Sequence, residues 1–141
     1  MTATEVMAYF SIIGDQFPLE EITEELAIQP TETYLKEEIL NEFTAPSSSE
    51  VRRRRETDWT LSTGYQKSYD INDQLKSLLI SFEEKQQDLI LLKEKYGLSY
   101  LFMIVIKIEN NKKPAMYLEK DIIDFASKIE AEIHFDLYIN S

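Results

Sequence analysis

The chain has 141 residues, 43% of them apolar, and carries 26 acidic against 15 basic residues for a net charge of −11. That length predicts one domain, 1–141, with enough apolar content to bury a core, while the acidic balance repels phosphate backbones and argues against nucleic-acid binding. The complete lack of Cys excludes a disulfide framework, a zinc–thiolate site and a cysteine nucleophile.

Met1-Thr-Ala-Thr-Glu-Val6 shows no basic segment leading into a long apolar one, so no secretory signal is expected. Val6 to Ile13 reads as a strand with Val6, Ala8, Phe10 and Ile12 on one face and Met7, Tyr9, Ser11 and Ile13 on the other. Both sets are fairly apolar, which suits a central strand. Gly14-Asp15 breaks it, and Pro18 suits the first turn of a helix whose Glu20 and Glu21 complement the helix dipole. Leu19, Ile22 and Leu26 mark its buried stripe, and Gln29-Pro30 is the expected stop.

Thr31 to Leu40 is assigned to a strand, although the Lys36-Glu37-Glu38 run is equally compatible with a helix. Thr44-Ala-Pro-Ser-Ser-Ser49 has the composition of a hairpin connection, and Arg55 to Thr63 follows as a strand with Trp59 and Leu61 inward. Asp70 is placed to cap a long helix with Ile71, Leu75, Leu78, Leu79 and Phe82 at helical spacing. The polar run Glu83 to Asp88 interrupts this stripe before Leu89, Leu92 and Tyr96 resume it, predicting a bend or two consecutive helices closed at Gly97.

The run Leu101–Ile106 is the longest apolar stretch and is far too short to span a bilayer, so a cytoplasmic protein without a membrane partner is expected. Around it an apolar strand carries Phe102, Ile104, Ile106 and Ile108. A turn at Pro114 then leads to a helix over about Glu119 to Glu130. In the last strand Ile133, Phe135, Leu137 and Ile139 alternate with Glu132, His134, Asp136 and Tyr138, giving one apolar and one polar, tyrosine-bearing face. The order β-α-β-β-α-β-α-β predicts a two-layer α+β fold. Its expected form is a ferredoxin-like β-α-β-β-α-β core with a mainly antiparallel sheet, plus an added C-terminal helix and strand. One sheet face would then be left without helices.

Few residues point to chemistry. The run Arg52-Arg-Arg-Arg55 is able to grip phosphate or an acidic partner, but alternate arginines on a strand face opposite ways, so Arg53 and Arg55 would act together on one surface. Pairing with Glu32, Glu37 and Glu38 across the hairpin is the favoured reading, and exposed pairs of this kind contribute only about 0–1 kcal/mol. His134 is the only histidine, which excludes a histidine-rich metal site. With Asp136, Tyr138 and a nearby Tyr9 it forms an acid/base-capable group, yet no nucleophile or phosphate loop accompanies it, so a polar strand face is the simpler explanation. The three glycines are isolated and the carboxylate pairs lie side by side in sequence, so neither a phosphate cradle, a glycosidase pair nor a calcium loop is implied. Trp59 reads as core, not as an interface anchor.

The ordered set Tyr9-Phe-Ser-Ile-Ile-Gly-Asp15, Phe17-Pro18, Ile22-Thr23, Leu26-Ala-Ile-Gln-Pro-Thr31, Trp59-Thr-Leu61 and Ile133-His-Phe-Asp-Leu-Tyr138 resembles a small bacterial family catalogued as a domain of unknown function, the DUF4279 family. The resemblance covers nearly the whole chain and implies no reaction, cofactor or site. The residues favour a non-catalytic protein-binding module with no cofactor. Its open sheet face would carry Tyr9, Met103, His134, Asp136 and Tyr138, and its partner would be a protein of basic charge. By analogy, an immunity protein neutralising a co-produced toxin is one such role. Two alternatives stand beside it: a homodimer packed through Met7, Ile13, Met103 and Val105, and a small-ligand binder or enzyme using His134 and Asp136.

Overall fold

The computed structural model describes residues 3–36 and 56–140. The arginine run with Arg53 and Arg55, the acids Glu37 and Glu38, and the connection Thr44–Ser49 lie outside the described residues.

Strand β1 (Glu5–Gly14) is the centre of the sheet. Its period of two sends Val6, Ala8, Phe10 and Ile12 to one side, where each is fully buried. It pairs antiparallel with β3 (Thr57–Ser62) and the short β4 (Gln66–Lys67) along one edge, and with β5 (Ser99–Glu109) along the other. Strand β2 (Glu32–Tyr34) extends the sheet beyond β3, and β6 (Ala131–Asn140) lies outside β5 in the parallel sense. The result is a mixed α+β fold with a mostly antiparallel sheet of order β2-β3-β1-β5-β6 and β4 branching from β1.

This order differs from a plain ferredoxin-like sheet. The polar pair Gln66-Lys67 finds the part of β1 that β3 leaves free, and the helix before β6 returns the chain parallel to β5, so one end of the sheet is not antiparallel. Parallel neighbours need such a crossover connection.

Helix α1 (Leu19–Leu26) starts at Pro18, whose carbonyl accepts from Glu21 and Ile22, and buries Ile22 and Leu26. It stops earlier than Gln29-Pro30, because Ala27 turns left-handed (φ 56°) and Ile28 N–H returns to the Thr23 carbonyl. Asp70 caps α2 (Ile71–Phe82), accepting the Asn72 N–H at 2.9 Å. The polar run breaks the helix as its composition implies: a 3₁₀ turn at Glu83–Lys85 separates α2 from α3 (Gln86–Tyr96), which ends at left-handed Gly97 (φ 67°). Helix α4 (Lys120–Lys128) completes the layer.

The core lies between this helix layer and one face of the sheet. Phe10 sits at its middle, with ring centroids 4.6 Å from Phe82, 4.8 Å from Phe102 and 5.6 Å from Tyr100. Such aromatic pairs add about 0.5–1.5 kcal/mol each beyond their buried area. Trp59 is fully buried and its Nε1–H donates to Thr23 Oγ1 at 3.0 Å, tying β3 to α1. Phe102, Ile104, Ile106 and Ile108 are buried as their alternation predicts.

The apolar set of β6 is not. Phe135, Leu137 and Ile139 are 42%, 44% and 63% exposed. Helix α4 points Phe125 toward Phe102 of β5, at 6.4 Å between ring centroids, and the helix layer leaves the outer half of the edge strand uncovered.

Candidate functional site

Among the described residues, the side chains of β1 that turn away from the core meet no helix. Strand register arranges this open face in cross-strand rows: Ser62, Tyr9, Met103 and His134 form one, and Glu32, Thr60, Ser11, Leu101 and Glu132 another. Tyr34, Asp58 and Ile13 make a third, Met7, Val105 and Asp136 a fourth, and Glu5, Lys107 and Tyr138 a fifth. Sheet twist dishes one side of this surface. The resulting concavity has a volume of about 280 Å³, and among the described residues its walls come from β1, β2, β3 and β5.

Met7, Ile13 and Leu101 line this floor together with hydroxyl and carboxylate groups. Ser11 and Thr60 share a hydrogen bond of 2.7 Å, and Thr60 Oγ1 donates onward to Asp58 Oδ1 at 2.6 Å, so Ser11 is the donor at the far end. Ser11 and Thr60 are buried, at 2% and 7% exposure, and the relay holds the Asp58 carboxylate in place. On the rim the Tyr34 hydroxyl donates to Glu32 Oε2 at 3.1 Å. Burial, then the negative charges of Asp58, Asp136 and Glu32, push the Tyr9 phenol above its ordinary value. A group so surrounded stays neutral and offers a hydrogen bond. The surface is therefore acidic and phenolic, a chemistry that suits ammonium or guanidinium groups.

Of the residues singled out from sequence, Tyr9 lines the concavity and Met103 stands beside it on β5. His134, Asp136 and Tyr138 share the same face but lie on the edge strand, beyond the column of Leu101, Met103 and Val105. His134 Nε2 lies 2.8 Å from Glu132 Oε1, and the Tyr138 hydroxyl donates to Asp136 at 3.0 Å, which with the charge of Asp136 raises the phenol's pKa. These pairs sit on an open rim, not in a cleft. At the neighbouring corner Lys107 Nζ stands 3.9 Å over the Tyr65 ring. The four apolar residues expected to form a patch are only partly available, since Val105 is 5% exposed and Met7, Ile13 and Met103 are half-buried.

Sequence reasoning missed Glu32, Tyr34, Asp58 and Thr60. Their signal was present: Asp58, Thr60 and Ser62 alternate with inward Trp59, so whichever face Trp59 leaves is theirs. Among the described residues no three acidic or histidine side chains converge to hold a metal ion, and no helix is long and apolar enough to cross a membrane. One family model matches residues 4–140, described as a domain of unknown function (DUF4279). No curated protein and no solved structure matches the chain.

Proposed function

Since the chain belongs to the DUF4279 family, whose description assigns no activity, we propose from its surface that it is a non-catalytic binding module whose open sheet face docks a basic protein. One observation carries this reading: a dished face, free of helices among the described residues, on which Glu32 and Asp58 stand beside the phenols of Tyr9 and Tyr34. Aromatic and charged side chains gathered on one concave surface are the usual anchors of a protein interface. The net charge of −11 supports steering of a cationic partner toward it. The partner would bring Lys or Arg side chains to this acidic, phenol-bearing face. An immunity-like role is the narrower form, in which that partner is a co-produced toxin and the protein works in the cytoplasm. The antiparallel β2–β3–β1–β5 portion supports treating the core as ferredoxin-like, with β4 and β6 as additions.

The test is affinity capture from the producing cells, followed by titration of the purified captured protein. A basic protein should bind at low salt and weaken steeply as salt rises. The double substitution Glu32→Gln/Asp58→Asn should weaken it about tenfold or more, equivalent to at least about 1.4 kcal/mol. Unchanged affinity in that variant, or binding indifferent to salt, sinks the reading. For the immunity form, the product of an adjacent gene should be inhibited by the wild-type chain and not by the variant.

A further inference from the structure

The outer edge of β6 is the least protected feature of the sheet. Natural edge strands are blunted by shortness, charged side chains (lysine above all), proline or a bulge, and the charges of β6 all lie on one face. The opposite edge is short, since β2 has three residues. Strand β6 runs ten residues, Ala131–Asn140, without proline or lysine, and its register with β5 is unbroken from Tyr100↔Ala131 to Glu109↔Asn140. Among the described residues no strand covers its outer side. The Asn140 carbonyl accepts from Asn110 on the β5 side. Alternation then turns the backbone groups of residues 131, 133, 135, 137 and 139 outward. These are the positions whose apolar side chains stand half-exposed or exposed on the helix side of the sheet.

We infer that this edge pairs antiparallel with β6 of a second copy about a two-fold axis at Phe135, joining two sheets into one. Charge and the length of strand paired together choose that register, since an axis at Ile133 would pair only residues 131–135 of β6. Centring on Phe135 places His134 opposite Asp136 of the second copy, twice by symmetry, and Glu132 opposite Tyr138. It also sets Phe135 against Phe135 and Ile133 against Leu137 on the apolar side. Moving the axis to Asp136 opposes two aspartates, and moving it to His134 opposes Glu132 with Asp136; like charges directly opposite are destabilising. An odd slip sets the apolar row against the polar one. In the favoured register the His134–Asp136 positions form non-hydrogen-bonded pairs, whose Cα atoms approach to about 4.5 Å and whose side chains lie closest. His134 spends Nε2 on its own Glu132, leaving Nδ1 for the carboxylate of the second copy. The pairing leaves the dished face of each copy open, so it is independent of the docking role above.

Sedimentation of the full chain across a concentration series tests the inference. The wild type should be a dimer. His134→Asp and Asp136→His should each weaken association about tenfold or more, because neither an Asp–Asp nor a His–His pair keeps the imidazole–carboxylate contact, and the double exchange His134→Asp/Asp136→His should restore it. Because the chain has no cysteine, Phe135→Cys gives a single thiol at the axis, within disulfide reach of its symmetry mate. Glu132→Cys would lie about 20 Å from its own mate at the strand rise of an extended chain. Mild oxidation should cross-link the first and not the second. A monomer throughout the series, a double exchange no better than the single ones, or cross-linking of Met103→Cys on the open face in preference to Phe135→Cys overturns the proposal.

Discussion

Tyr100 shows how one side chain can be both core and cap. Its ring packs against Phe10 while its hydroxyl donates to the Leu89 carbonyl at 2.6 Å. Tyr100→Phe removes that bond while the Leu89 carbonyl stays within the ladder of α3, so it should cost about 0.5–1.5 kcal/mol in urea unfolding. The same residue sets an alkaline limit. Burial holds the phenol protonated well above its ordinary range, whereas in the unfolded chain it ionises near 10. Its contribution is complete below that pH and is lost as pH climbs toward the folded value, because the folded state then keeps a proton that the unfolded state releases. Stability should therefore fall between about pH 10 and 12 in the wild type, and the slope should be shallower in Tyr100→Phe. Tyr9, raised by burial and acidic neighbours, contributes in the same direction. At this scale the open face was half legible. Alternation alone put Tyr9, Met103 and His134 on one side, and register confirms that they share a row. The hydroxyl relay from Ser11 through Thr60 to Asp58 was not legible, because it joins residues 49 apart through a pairing that no local pattern encodes.

Helix ends were read from sequence with uneven success, for a physical reason. Asp70 announced itself because an N-cap needs a side-chain acceptor, and it serves both the Asn72 backbone N–H and Asn72 Nδ2. Asp70→Ala should cost about 1 kcal/mol, seen as a lower urea midpoint with an unchanged slope. Ala27 gave no such signal, since nothing marks an alanine as the left-handed residue that closes α1. That conformation costs a non-glycine residue roughly 1–2 kcal/mol. Ala27→Gly should thus raise stability by about 0.5–1 kcal/mol after the extra freedom of glycine in the unfolded chain is subtracted; a lower melting temperature would contradict this. The opposite case is Gly97, φ 67°, where the left-handed stop already has the residue it favours. The break between α2 and α3 was legible because six consecutive polar residues cannot continue a buried stripe. Strand β4 was not, since two residues held only by pairing with Glu5 and Val6 carry no period at all.

At the scale of the molecule, fold class was legible and connectivity was not. Periods of two and 3.6 along the chain specify a sheet with helices on one side, but neighbours in a sheet are chosen by contacts remote in sequence. The parallel placement of β6 and the exposed flank of Phe135, Leu137 and Ile139 follow from where α4 comes to rest, a property of packing and not of any one segment. The central position of β1 carries a consequence for synthesis. The ribosome releases this strand before both of its neighbours, so one flank must wait for residues 57–62 and the other for residues 99–109. Until then it is an apolar ribbon with two bare edges, the kind of nascent species that aggregates or recruits holding chaperones. Extra chaperone supply should accordingly raise the recovered yield while leaving the melting temperature of the purified protein where it was.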